Sequence, residues 1–204
     1  MDTSFYNDLI LKKINFSDGY GSSETWIGYF GSINKFSFKN ARKAILFFSN
    51  YFAKDLHDII IAVSYYIDID DFIDDGKRIQ KIVTPIEDQL TKKKFISKLS
   101  GNDFFSTDEK IVDKQISELN TQFKVFDHVD KEDLQNLSLL GMVDSNVAGH
   151  CFFIIEKYNL IIYPQSDNFG FGCIGINDNA NSKGIDFLKS ASTDNNFTFK
   201  LTHF

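Results

Sequence analysis

Five aspartates, Asp68, Asp70, Asp71, Asp74 and Asp75, crowd the stretch DIDDFIDD. Carboxylates at this density do one of two things: they ligate a divalent cation, or they meet a positive surface. Asp70, Asp71 and Asp74 have the D-D-x-x-D spacing that holds magnesium-bound diphosphate. That chemistry needs the acids on a long helix facing a second acidic motif. Here they follow a β-branched run, stop at Gly76 and have no second copy. A calcium loop counted from Asp71 fails too, because Ile73 and Ile82 fall where oxygen ligands are required. The expectation is therefore an exposed acidic loop with no metal, partly balanced by Lys77, Arg78 and Lys81. A metal-dependent enzyme using the cluster from Asp68 to Asp75 is the alternative.

The second motif is NFGFGCIGI, in which Gly170, Gly172 and Gly175 spell G-x-G-x-x-G. A dinucleotide fingerprint needs a strand before the glycines and a helix opening on them, so that the helix N-terminus meets the pyrophosphate. These glycines instead sit inside an alternating run followed by the loop NDNANSKG. The reading is a third strand of a meander, with glycine where a neighbouring backbone or a bulky ring comes close. No G-x-S-x-G, H-E-x-x-H or P-loop is present. Cys151 and Cys173 lie in apolar runs that disfavour a thiolate, so both read as buried reduced thiols. His150 next to Cys151 has no metal-ligand spacing around it. No cofactor is expected, and no catalysis.

Charge points the same way. The chain carries 28 acids against 22 bases. Residues 66–76 hold five acids and no base, 77–98 seven bases and two acids, and 103–135 nine acids and four bases. This balance disfavours a nucleic-acid partner and suits a basic protein. No apolar run approaches the roughly 20 residues of a spanning helix, and MDTSFYNDLI is too polar for a signal peptide. A cytoplasmic protein without membrane contact is expected.

The elements that must position these acids read as follows. TWIGYFG and NKFSF suggest two short strands around a Gly31-Ser32 turn, with Asn40 capping a helix to about Phe52. HDIIIAVSYYI has the continuous β-branched character of a strand buried on both faces. Thr84-Pro85-Ile86-Glu87 predicts a helix start, with the helix ending near Ser100. Two more helices follow Ser106-Thr107-Asp108-Glu109 and Asp130. CFFIIE and LIIYP form a hairpin, Ser182 to Ser190 a short helix, and NFTFKLTH a half-buried strand. The sum is a single α+β domain over 1–204: a mainly antiparallel sheet with helices packed on it, and a helical, charge-rich insertion at 77–143. The frequent Phe, 22 in all, should supply core and contact surface.

ARKAILFFSNYF followed by DIIIAVSYY, and the later FFIIEKYNLIIYPQSDNFGFG, resemble the helix–strand segment and late hairpin of immunity proteins from bacterial contact-dependent growth inhibition and related polymorphic toxin systems. The resemblance covers about a third of the chain and leaves out 77–143. It implies a cytoplasmic toxin inhibitor that acts by protein binding on a cognate toxin domain, often a nuclease, without catalysis. Carboxylates standing in for phosphates suit the basic cleft of such a domain. The partner-binding candidates are Asp68, Asp70, Asp71, Asp74 and Asp75, with Tyr66 and Phe72 as apolar anchors. Asp108, Glu109 and Asp113 form a second patch, and Asp127, Asp130, Glu132 and Asp133 a further group. A regulatory or interaction module with a merely solvated acidic loop is a third reading.

Overall fold

The computed structural model describes residues 2–33, 38–68, 77–100, 109–177 and 181–202. The fold is α+β. Seven strands form the main sheet: β1 (Trp26–Ser32), β2 (Ile60–Val63), β5 (Lys124–Phe126), β7 (Cys151–Ile155), β8 (Leu160–Gln165), β9 (Gly170–Gly175) and β10 (Phe197–Leu201). Their order is β10-β1-β9-β8-β7-β2-β5, with every neighbouring pair antiparallel. A small sheet holds β4 (Ser97–Leu99), β3 (Tyr66–Asp68) and β6 (Val147–Ala148), in that order.

Side chains alternate across the main sheet and so build two cores. Ile61, Val63, Phe153, Ile155, Leu160 and Ile162 face one side, with α2 (Phe38–Tyr51), α5 (Lys131–Val143) and α6 (Asn181–Ala191). Ile60, Ala62, Phe152, Ile154, Ile161 and Tyr163 face the other, under α1 (Thr3–Lys13). The strands at 60–63 and 151–155 are buried at every position, as their unbroken apolar runs predict. Phenylalanine fills the helix-covered core. Phe48 stacks on Phe171 at 4.7 Å, and Phe187 meets Phe30, Phe47 and Phe52 at 5.2–5.6 Å in stacked, tilted and edge-on arrangements.

The three glycines belong to β9, the third strand of the β7–β8–β9 meander. A Cβ at Gly170 would lie 2.0 Å from the Phe30 carbonyl oxygen, and one at Gly172 2.0 Å from the Tyr163 ring. Backbone and ring approach are the two reasons a strand keeps glycine here.

Four expected boundaries differ. Asn40 does not cap α2, which already starts at Phe38; its buried amide donates instead to Ser32 Oγ at 2.7 Å. β1 runs through Gly31 and Ser32, so no turn falls there. Of the expected NKFSF strand, Phe38 is helical and 34–37 lie outside the described residues. Thr84-Pro85 starts no helix: α3 spans Lys77–Lys92 with Pro85 inside. Ile79, Ile82, Val83, Ile86 and Leu90 carry one apolar stripe past the proline, and tertiary burial of that stripe outweighs the start signal. Pro85 and Lys81 are exposed, so solvent can serve the carbonyl that loses its donor.

α3 ends at Lys92 rather than near Ser100. Lys94 adopts φ 66°, and the Phe95 amide bonds the Leu90 carbonyl at 2.9 Å. This left-handed terminus favours glycine. Lys94→Gly is therefore expected to raise stability by about 0.5–1 kcal/mol, read as a higher urea midpoint with an unchanged m-value. α4 spans Glu109–Thr121. The described residues of 77–143 thus hold α3, α4 and α5 and also β4 and β5, the latter an edge strand of the main sheet.

Candidate functional site

The apolar run at 59–67 does not stay one strand. It breaks at Ser64-Tyr65, where the Ser64 amide bonds the His150 carbonyl at 2.8 Å and the Ser64 hydroxyl accepts the His150 amide at 3.0 Å. The same hydroxyl donates to the Asn120 carbonyl at 2.8 Å. These bonds send β3 out of the main sheet into the small one.

Register in the small sheet then decides what shares an edge. β3 and β4 are parallel, with Asp68 opposite Leu99. The chain therefore leaves toward 69–76 and toward 101–108 from adjacent strand ends, neighbouring strands being about 4.8 Å apart. β6 runs antiparallel on the other side of β3, Val147 opposite Ile67, so the turn that feeds it, Asp144 to Asn146, lies at that same edge. The ends of β3 and β4 and this turn therefore share one border of the small sheet, although they are far apart in sequence.

A cleft of about 770 Å³ opens beside this border. Tyr20, Trp26, Tyr65, Tyr163 and His150 line it, along with Asp144, Val147 and Gln165. A second lobe of about 630 Å³ adjoins it through Asp144, Ser145, Ser166, Asp167 and Asn168, and reaches Phe38, Ile79 and Met142. Four of these polar tips meet in two pairs. Trp26 Nε1 donates to the Tyr163 hydroxyl at 3.0 Å, and the Tyr20 hydroxyl lies 2.5 Å from His150 Nδ1. Burial lowers the His150 pKa to about 4, so the ring is neutral at pH 7, and its tautomer sets which of Nδ1 and the Tyr20 hydroxyl donates. Burial also raises the hydroxyls of Tyr20 and Tyr163 above their ordinary range. The cleft presents charge at Asp144 and Asp167, and one base, Lys200.

Both thiols are fully buried and free, and burial raises their pKa, so neither is a thiolate near neutral pH. Among the described residues, no three His, Cys, Asp or Glu side chains gather as a metal site. Among the same residues, no helix is long and apolar enough to cross a membrane.

Of the expected partner-binding residues, Asp70, Asp71, Phe72, Asp74, Asp75 and Asp108 lie outside the described residues. Asp68 is the last residue of β3, Glu109 the first of α4, and Asp113 stands one turn further on. Tyr66, expected as a surface anchor, is 8% exposed; its ring packs within the fold. Two other acids are spent internally. Asp133 is buried and held by Lys93 Nζ at 2.7 Å, tying the end of α3 to the start of α5. Asp55 is buried too, with Lys157 Nζ at 2.6 Å and the Tyr158 hydroxyl donating at 3.0 Å. Asp127, Asp130 and Glu132 remain on the surface, Asp130 within 3.7 Å of Lys93.

The cleft residues escaped the sequence reading, because Tyr20, Trp26, Tyr163 and Asp144 are brought together only by sheet pairing. Glycine at position 141 was one available signal: a Cβ there would lie 1.8 Å from the Tyr65 hydroxyl. No protein-family model, no curated protein and no solved structure matches the chain.

Proposed function

We propose that this chain is a non-catalytic immunity protein that binds a basic toxin domain, a nuclease being the best fit, and occludes its active site. The observation that carries the reading is the strand register of the small sheet. It starts residues 69–76 and 101–108 from neighbouring points, which lets acids from both segments act on one partner surface. Seven of the candidate carboxylates belong to these segments or to the residues next to them: Asp68, Asp70, Asp71, Asp74, Asp75, Asp108 and Glu109.

Clustered like charge of this kind is costly unless a cation answers it. A basic nucleic-acid-binding cleft supplies that answer, and complementary charge speeds encounter as well as fixing register. A standard interface needs about 800 Å² from each partner. The border of the small sheet and the adjoining cleft mouth form a continuous candidate for it. The sequence resemblance to immunity proteins of contact-dependent growth inhibition supplies the biological role.

The test is co-expression with the C-terminal domain of the protein encoded immediately upstream. The reading expects a one-to-one complex and loss of that domain's toxicity. A freely toxic domain in the presence of folded chain, or substrate turnover by the purified chain, would contradict it. Tight magnesium or manganese binding that vanishes with Asp70→Asn and Asp74→Asn would favour the metal-dependent enzyme instead.

A further inference from the structure

Asp144 is a problem in electrostatics. It caps the end of α5, its amide bonding the Leu140 carbonyl at 3.0 Å, and is only 7% exposed. Its Oδ1 is well served, accepting from the Asn146 amide at 3.0 Å and the Asn146 side chain at 3.2 Å. Its Oδ2 is buried with no donor. Buried carboxylate oxygens are rarely left so, because desolvation without a hydrogen bond is expensive. What faces Asp144 is a second carboxyl group, that of Glu87 on α3, within hydrogen-bonding reach. Two ionised carboxylates have no donor between them and repel.

We propose that Glu87 and Asp144 share one proton, and that this carboxyl–carboxylate pair is a pH-sensitive latch holding α3 to the turn that enters β6. The proton resides on Glu87, whose O–H donates to Asp144 Oδ2 and satisfies the orphaned atom. The half-buried position of Glu87 favours the neutral form, and its pKa is raised to about 7, by burial first and then by Asp144. Two other charges act on it. Lys98 on β4 opposes the rise and Asp88 on α3 adds to it, and these two are paired with each other at 2.9 Å. The latch does not depend on the proposed partner. It concerns the same border of the small sheet, since Asp144 lines both lobes of the cleft.

The sign of the pH dependence follows. Folded Glu87 keeps a proton that the unfolded chain releases near 4.5, the ordinary value of a glutamate. Folding is therefore favoured most below that value and loses this contribution as pH rises through about 7. Between pH 5 and pH 8 the wild-type Tm is expected to fall by about 5 °C more than that of Glu87→Gln, whose amide donates to Asp144 at any pH. Subtracting the two profiles removes the histidines common to both. Asp144→Asn, whose amide can donate to an ionised Glu87, is expected to flatten the profile in the same way. The direct readout is the Glu87 carboxyl carbon resonance in the intact chain. A titration midpoint near 7 supports the latch and one near 4.5 overturns it. Parallel profiles for wild type and both variants would overturn it as well.

Discussion

If the proposed function holds, replacing Asp68, Asp70, Asp71, Asp74 and Asp75 by asparagine is expected to weaken binding of the proposed toxin domain by roughly a hundred- to a thousandfold at low salt. The loss should appear mainly in the association rate, because solvent-facing charges steer encounter more than they hold a complex. Single replacements should each cost less than about 1 kcal/mol, as rim charges do. The wild-type advantage should shrink as salt rises and the Debye length falls to about 8 Å and below. The folded chain itself should be slightly more stable without this self-repulsion. Surface plasmon resonance across a salt series, beside a urea melt of the free variant, checks both halves.

Gly170→Val is expected to cost about 3 kcal/mol or more of folding stability. A Cβ at this position would lie 2.0 Å from the Phe30 carbonyl oxygen and 2.7 Å from the Gly31 Cα. Both are backbone atoms of β1, so no side-chain rotation relieves the contact. β1 and β9 must separate, and with them the packing of Phe30 against Phe171, now 5.9 Å apart. Overpacking typically costs 1–3 kcal/mol where side chains can move aside; here the sheet itself must give. Gly21→Ala is the control, since its nearest neighbour is the Trp26 ring at 3.9 Å, and it should stay within about 0.5 kcal/mol. Equal urea midpoints for the two variants would mean that glycine at position 170 is not required by β1.

Where a residue pattern was long and periodic, the sequence disclosed the element. The hairpin of β7 and β8, the meander strand with its glycines, α5 after Asp130 and α6 all follow such patterns, whereas the run HDIIIAVSYYI, read as one strand, is split into β2 and β3 at Ser64-Tyr65. Misreadings arose where two local signals competed. At Thr84-Pro85 a start signal sits within an apolar stripe that began earlier, and burial of the stripe prevails. At Asn40 a capping residue is consumed by a side-chain bond to Ser32, a partner that no window of sequence shows. α1 was overlooked although Asp2 accepts from the Ser4 and Phe5 amides, and Tyr6, Ile10 and Ile14 recur every four residues. Its polar look masked a stripe too narrow to dominate the window.

The acidic candidates were legible as composition, and the adjacency of the two strands that precede them was not. Nothing in the chain between Asp68 and Leu99 announces that β3 and β4 run parallel and side by side. The cleft was less legible still. Tyr20, Trp26, Asp144 and Tyr163 come from four segments, and each taken alone is an ordinary aromatic or polar residue. Their meeting is a product of the antiparallel order β1-β9-β8-β7 and of the break at Ser64.

Hydrogen exchange of the chain, free and bound to the toxin domain, locates the contact most directly. The account predicts protection on binding concentrated in 66–76, 97–113 and 144–148, the stretches that contain β3, β4 and β6 or follow them in sequence. Protection confined to α1 or to the β10 edge, with those stretches unchanged, would contradict it.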